Sequence, residues 1–138
     1  MFFRSRAAFV RADVTKESEI VGMIATTTER LGPIDVLVNN AWGGGMMGRV
    51  EKKSNDVLRH GLDMGFFAAF WAMRECFPHM KANGWGRVIN MCSLNGVNAH
   101  MGTLEYNVAK ESLRTLTRTA AREWAPTGVV VKIGRAHV

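Results

Sequence analysis

The sequence predicts an α/β fold with a parallel sheet, because short apolar runs alternate with segments of helical periodicity. The clearest run, Ile34–Val38, is apolar on both faces, as expected for a central parallel strand. A second strand is predicted to end at Cys92 and a third to begin at Gly128, with helical segments before each of them. This alternation is typical of a sheet built from strand–helix–strand units.

Four longer helices and a short first strand complete the predicted elements. The first helix is expected to begin after a Thr15 cap and to end at Gly32-Pro33. The last is expected to begin after a Thr103 cap and to end before Pro126. Ala7–Val10 is expected to form a short buried strand. The predicted helices are Lys16 to about Leu31, Ser54 to about Leu62, about Gly65 to Lys81, and Thr103 to Trp124.

Composition predicts a soluble cytoplasmic protein. Hydrophobic residues make up 47% of the 138, and no uninterrupted apolar run approaches the length of a membrane span. Met1–Arg6 does not resemble a signal peptide, and Cys76 and Cys92 are expected to be buried thiols. The net charge of +6 comes from scattered basic residues, which argues against a nucleic-acid surface and suits an anionic dinucleotide.

Three polar residues, Ser93, Tyr106 and Lys110, are the candidate catalytic group. Tyr106 and Lys110 are four residues apart and therefore share one face of the predicted helix. Ser93 follows a predicted strand and is thirteen residues before Tyr106. We therefore expect Ser93 to lie beside Tyr106 and Lys110 at the mouth of one active site. An isolated phenol has a pKa near 10, and a nearby ammonium group favours its ionised form. The pattern therefore predicts general acid–base chemistry on an alcohol or carbonyl group.

Together with the strand and helix pattern, Tyr-x-x-x-Lys with its upstream serine resembles the short-chain dehydrogenase/reductase family in its single-domain form. The resemblance runs from about Ala7 to Val131, about the middle half of a family member. It implies a Rossmann-like, doubly wound parallel sheet, of which this chain would contain the third to sixth strands. It also implies NAD or NADP as cofactor, a small-molecule alcohol or carbonyl substrate, and a homodimer or homotetramer.

The resemblance implies further site residues and marks two departures from the family pattern. Trp42 stands where the family usually has glycine, and Gly65 stands nearest the position of a catalytic asparagine. No metal site is expected. The residues implied to bind the cofactor are Asp13, Val14, Asn39, Asn40, Ala41, Tyr106 and Lys110.

The segment Gly43–Gly48 formally matches the glycine-rich pattern of a dinucleotide-binding turn. Such a turn needs a helix opening at its last glycine, whereas Arg49–Lys53 intervenes before the next predicted cap, Ser54. A mobile loop at the mouth of the active site is the favoured interpretation, with Met46 and Met47 as adaptable apolar contacts.

Residues 1–132 are expected to be part of one dinucleotide-binding domain, with a non-native tail, Ile133–Val138, that matches one frame of a common sequencing-library adapter. The 138-residue chain alone is expected to be inactive, because its resemblance to the family begins near the third strand. It therefore does not include the first strand and the glycine-rich turn that binds the pyrophosphate. Two other functions stay open: an epimerase or dehydratase that uses Tyr-x-x-x-Lys, and a non-catalytic scaffold.

Overall fold

The computed structural model describes residues 7–135 and has the predicted α/β architecture. Its sheet contains three parallel strands in the order β1-β2-β3, so strands that are successive along the chain lie side by side. Val38 of β1 pairs with Ile89 of β2, and Val88 of β2 pairs with Val131 of β3. The strands are β1 (Val36–Asn39), β2 (Gly86–Cys92) and β3 (Val129–Arg135).

Helices connect the strands in the predicted order. A five-residue π-helical turn, Asp63–Phe67, joins α2 to α3, so the second and third predicted helices form one continuous helical segment. The α-helices are α1 (Glu17–Leu31), α2 (Asn55–Leu62), α3 (Ala68–Ala82), α4 (Leu94–Val97) and α5 (Leu104–Trp124). No helix within residues 7–135 combines the length and the apolar character needed to cross a membrane.

The main core lies between one face of the sheet and the helices α1, α3 and α5. Ile20 of α1, Met73 of α3 and Ala120 of α5 meet Val88 and Val131 of the sheet in one buried cluster. The alternating burial along β2 follows from the pleat, because every second side chain points to the covered face.

The other face of β1 is not buried, which corrects the expectation for Ile34–Val38. Val36 and Val38 are 50% and 53% exposed, whereas Leu37 between them packs against the core. Among the described residues, α1, α3 and α5 cover one face of the sheet. Only every second side chain of β1 therefore points into the core, and the side chains between them are exposed.

The predicted strand Ala7–Val10 is wrong. These four residues have no regular structure, and the side chain of Phe9 is 84% exposed. A strand needs a neighbour to satisfy its backbone N–H and C=O groups, and within residues 7–135 no other strand pairs with this segment.

Helix caps agree with the sequence in one case and differ in two. Ser54 accepts a hydrogen bond from the Val57 N–H (3.3 Å), as a cap should. Lys16 rather than Thr15 precedes α1, because the Asp13 carboxylate binds both the N–H and the hydroxyl of Thr15 in a tight turn. Thr103 precedes α5 as predicted, but its hydroxyl hydrogen-bonds to His100 and Asn107 instead of capping the helix.

The connection from α5 into β3 requires glycine at position 128. Gly128 has a φ of +79°, and a Cβ there would lie 1.9 Å from the carbonyl oxygen of Gly84. The strand that follows extends to Arg135, so the first half of the proposed non-native tail continues β3. The rest of that tail, residues 136–138, lies outside the described residues.

Candidate active site

Tyr106 and Lys110 lie together on α5, where the four-residue spacing placed them. The Lys110 ammonium nitrogen is 5.6 Å from the centre of the Tyr106 ring. The same nitrogen is 5.6 Å from the centre of the Trp42 ring, which meets Tyr106 edge-on with ring centres 4.7 Å apart. The ammonium therefore lies close to two aromatic rings, an arrangement that favours the charged form of lysine.

Lys110 is anchored against the sheet. Its side chain is buried, with 5% of the residue exposed, and its ammonium group donates to the carbonyl oxygen of Met91 (2.7 Å). Burial lowers the pKa of Lys110, and the neighbouring Cys92 thiol only partly opposes that effect. Because an ammonium group has three donors, the bond to Met91 leaves others for a ligand.

Ser93 follows β2 and precedes α4, as predicted. Its hydroxyl oxygen accepts from the Asn95 N–H (3.2 Å), and its carbonyl oxygen accepts from Arg114 (3.4 Å). Ser93 is buried, and it lies two residues beyond the carbonyl group that binds Lys110. The described contacts do not join it to Tyr106, but its hydroxyl hydrogen remains available to donate.

Trp42 occupies the space that Gly65 leaves open. A Cβ at Gly65 would lie 2.7 Å from Cζ3 of Trp42 and 2.7 Å from Cβ of Ala109. Gly65 belongs to the π-helical turn, so this irregular turn packs its backbone directly against the tryptophan ring and α5. Trp42 and Gly65, the two departures from the family pattern, are therefore neighbours in the structure. A larger side chain at position 65 would displace the Trp42 ring.

Five of the seven predicted cofactor residues line one groove at the carboxyl end of β1. Val14, Asn39, Asn40 and Ala41 border a mostly apolar cavity of about 220 Å³, and Lys110 lies at the same cavity. Ligands of open α/β sheets bind at this end of the strands. We call this cavity the β1 groove.

Asp13 and Tyr106, the other two predicted cofactor residues, do not line the β1 groove. Tyr106 lines a different cavity, and Asp13 lies in the turn before α1. Its carboxylate is occupied by hydrogen bonds from Thr15 and an ion pair with Lys16 (3.3 Å), and the Thr15 bonds are the main cause of its lowered pKa. The next residue, Val14, does line the groove.

A buried amide network fixes Asn39 in the groove. The Asn39 side chain donates to the side-chain oxygen of Asn90 (2.8 Å), and Asn90 donates to the hydroxyl of Thr117 (2.9 Å). Asn90 and Thr117 are almost fully buried, at 0% and 2% exposed. The network joins β1, β2 and α5 and so holds the groove in register with the helix that contains Tyr106.

Residues of the segment Gly43–Gly48 line a cavity together with Tyr106, and no α-helix opens at the last glycine of the segment. The segment is bonded to the start of α5: Met46 N–H donates to the Glu105 carboxylate (2.8 Å), and Gly48 N–H donates to the Gly102 carbonyl oxygen (3.0 Å). Glu105 also forms a buried ion pair with Lys53, with 2.6 Å between Nζ and Oε2.

Sequence reasoning missed this ion pair. Its only signal was the position of Glu105, directly before Tyr106. Trp42, Met46, Met47 and Tyr106 line a second cavity, of about 260 Å³, which we call the Tyr106 cleft.

The residues of the β1 groove fit a nicotinamide dinucleotide at one end. The buried ammonium of Lys110 offers spare donors to hydroxyl groups, and the side chains of Asn39 and Asn40 are polar groups on an otherwise apolar wall. A binding site of this kind, apolar with a few convergent polar groups, suits a flat heteroaromatic ring attached to a sugar.

Comparisons with known proteins show the family to which the sequence and fold of this chain belong. The family model described as short chain dehydrogenase matches residues 3–134. The chain is 38% identical over 120 residues to the D-beta-hydroxybutyrate dehydrogenase of Rhizobium meliloti strain 1021, a match that covers 87% of this chain and 46% of that protein.

Solved structures give the same result. A short-chain dehydrogenase from Streptomyces avermitilis superposes with a TM-score of 0.87 at 33% identity, covering 95% of this chain and 49% of that one. An NAD⁺-bound xylitol dehydrogenase superposes with a TM-score of 0.83 at 29% identity, covering 88% and 47%. The chain spans about half the length of the curated relatives it matches.

Proposed function

The chain belongs to the short-chain dehydrogenase family, and on this premise we propose that the complete protein is an NAD(P)-dependent oxidoreductase that interconverts an alcohol and a carbonyl compound. The observation that supports it most is the buried Lys110 ammonium, 5.6 Å from the centre of the Tyr106 ring. A fixed positive charge beside a phenol favours proton transfer between the phenol and a bound oxygen.

In the proposed reaction, Tyr106 acts on the oxygen of the substrate. Its hydroxyl gives a proton to the carbonyl oxygen as that oxygen gains negative charge, and in the reverse direction the phenolate accepts the proton of the alcohol. Ser93 donates its hydroxyl hydrogen to the same oxygen, while its own oxygen accepts from Asn95 N–H. Lys110 stabilises the phenolate and is itself oriented by the carbonyl oxygen of Met91.

When bound, NAD or NADP would supply or accept the hydride at the carbon bonded to that oxygen. We propose that Asn39, Asn40 and Ala41 support it along the β1 groove and that Lys110 binds its ribose hydroxyl groups. Both cofactor forms, NAD and NADP, are compatible with these contacts.

The function is tested by following reduced-nicotinamide absorbance in the complete protein with a panel of secondary alcohols and ketones. Turnover with at least one substrate and one cofactor form is expected. Cofactor binding without turnover across the panel would support the scaffold alternative and contradict the oxidoreductase.

We further propose that the 138-residue chain alone neither binds a dinucleotide tightly nor turns over. It spans about half the length of its relatives, and the outer edge and one face of β1 are unpaired and exposed among the described residues. Calorimetric titration of the isolated chain with NADH and NADPH should show no binding at micromolar concentration. Micromolar affinity would show that the described groove is sufficient.

We also propose that α3 and α5 form an interface between two copies of the complete protein. An open groove runs along α5 beside Phe66 of the π-helical turn that leads into α3. Val108 in its lining is 40% exposed. Light scattering at micromolar concentration should give a dimer or tetramer, and a monodisperse monomer would contradict it. The groove is lined by Phe66, Val108, Glu111, Ser112, Leu116 and Thr119, among others.

A further inference from the structure

Glu105 and Lys53 form an ion pair that is almost completely shielded from water. Their side chains are 3% and 4% exposed, and 2.6 Å separates Nζ from Oε2. Gly61 of α2 packs against Glu105 so closely that a Cβ at position 61 would lie 2.8 Å from Cβ of Glu105. Burial alone would raise the pKa of Glu105, but the hydrogen bonds from Lys53 and the Met46 N–H outweigh it, and the pKa lies below its usual value.

Glu105 and Lys53 both form hydrogen bonds with the main chain of Met46. Glu105 accepts from the Met46 N–H (2.8 Å), and the ammonium group of Lys53 donates to the Met46 carbonyl oxygen. Met46 lies in the segment Gly43–Gly48, which has no regular secondary structure of its own. The ion pair therefore supplies the backbone bonds that a helix or strand would otherwise give this residue.

The anchored segment forms the wall of the Tyr106 cleft. Trp42 precedes the segment and touches the Tyr106 ring, and Met46 and Met47 line the cleft beside it. Glu105 is the residue immediately before Tyr106 in the first turn of α5. The wall is thus bonded to the same helical turn that contains the reacting hydroxyl group.

A buried ion pair is weak support for stability, because desolvating two charges offsets much of their attraction. Its geometric effect is definite, since the pair fixes the distance between Met46 and the first turn of α5. The charges of Glu105 and Lys53 neutralise each other within the pair. Among the described residues, the lining of the cleft contains no lysine, arginine or histidine. The rest of the lining combines the apolar side chains of Trp42, Met46 and Met47 with uncharged polar residues, which are Asn95, Thr103 and Tyr106.

We infer that Glu105 and Lys53 form a clamp that fixes the apolar wall of the Tyr106 cleft, and that this cleft takes an uncharged, apolar part of the substrate. The inference rests on the proposed oxidoreductase function for its substrate class, but the clamp itself is a property of the fold. Glu105 and Lys53 act as positioning residues, because they hold the cleft wall and do not touch the reacting oxygen.

The clamp is tested with the double variant Glu105→Leu/Lys53→Met in the complete protein. Apolar replacement of a buried pair preserves stability in many proteins, while here it removes both bonds to Met46. Amide hydrogen exchange at Met46 should become about tenfold faster, because a charge-assisted hydrogen bond is lost. KM for the alcohol should rise, and the dissociation constant of the cofactor should stay unchanged.

Two further variants sharpen the result. Glu105→Gln keeps an acceptor for Met46 N–H and should show an intermediate exchange rate, so it also serves if the double variant does not fold. The matched control, Asp56→Leu/Arg59→Met, removes an exposed ion pair of α2 and should change neither quantity. Native exchange at Met46 in a folded Glu105 variant, with unchanged KM, would overturn the clamp.

The substrate class is tested by comparing cyclohexanol with a short hydroxy acid as substrates of the unmodified protein. The uncharged ring should give a kcat/KM at least about tenfold higher, because a carboxylate buried without a cation is costly. Equal or better use of the hydroxy acid would overturn the substrate class. Absence of turnover with every substrate would instead count against the oxidoreductase function, and the exchange measurement would still decide the clamp.

Discussion

Replacing Tyr106 with phenylalanine in the complete protein is expected to lower kcat by about 10²- to 10⁴-fold, the usual contribution of a general acid–base group. The variant keeps the aromatic ring, so the edge-on contact with Trp42 and the ring beside the Lys110 ammonium should persist. The dissociation constant for NADH or NADPH should therefore stay nearly unchanged. Lys110→Ala should lower kcat and also raise the dissociation constant of the cofactor, because Lys110 is proposed to bind the ribose as well as to stabilise the phenolate.

Steady-state kinetics and a cofactor titration on the same preparations measure the two effects. Thr28→Val is the matched control, because it removes a hydroxyl group from an exposed position on α1 and should leave kcat unchanged. Near-normal turnover in Tyr106→Phe would show that another group transfers the proton.

Gly65→Ala is expected to destabilise the protein by about 1–3 kcal/mol, the usual cost of overpacking a core. The added methyl group would lie 2.7 Å from both Trp42 and Ala109. Ala109 is fully buried and directly precedes Lys110, so relief of the clash must move α5 or the tryptophan ring. A displacement of this kind can lower turnover by about 10²-fold, and Gly65→Asn should be at least as harmful.

Gly22→Ala provides the control. Gly22 is also a helical glycine, but nothing lies within 4 Å of a Cβ at its position. There the substitution should stabilise the protein by up to about 1 kcal/mol, because alanine has the higher helix propensity. Thermal unfolding and kcat of both variants test the difference, and equal stability with normal turnover for Gly65→Ala would show that the packing at Trp42 is not restrictive.

Much of the fold was predictable because local patterns agree with the tertiary contacts. The apolar runs ending at Val38 and Cys92 form adjacent parallel strands, and the spacing of Tyr106 and Lys110 brings both to one face of α5. The sheet order also follows, since successive strand–helix–strand units place neighbouring strands side by side.

The errors and omissions arise where distant residues decide the outcome. Ala7–Val10 has the composition of a strand, but strand formation depends on a partner that this segment lacks among the described residues. The Glu105–Lys53 pair joins residues 52 positions apart, and neither residue type indicates a buried partner from sequence alone. Trp42 was visible as a departure from the family pattern, but its fit against Gly65 depends on the π-helical turn, which periodicity does not indicate.

The most direct test of Tyr106 and Lys110 as the acid–base pair of an oxidoreductase is a single-turnover measurement. The complete protein, loaded with NADH or NADPH, is mixed rapidly with an uncharged ketone, and reduced-nicotinamide absorbance is followed with time. The unmodified protein should lose this absorbance in one fast phase, and Tyr106→Phe, loaded to the same extent, should lose it orders of magnitude more slowly. No absorbance change in the unmodified protein, or equal rates in the two proteins, would contradict the proposed role of Tyr106.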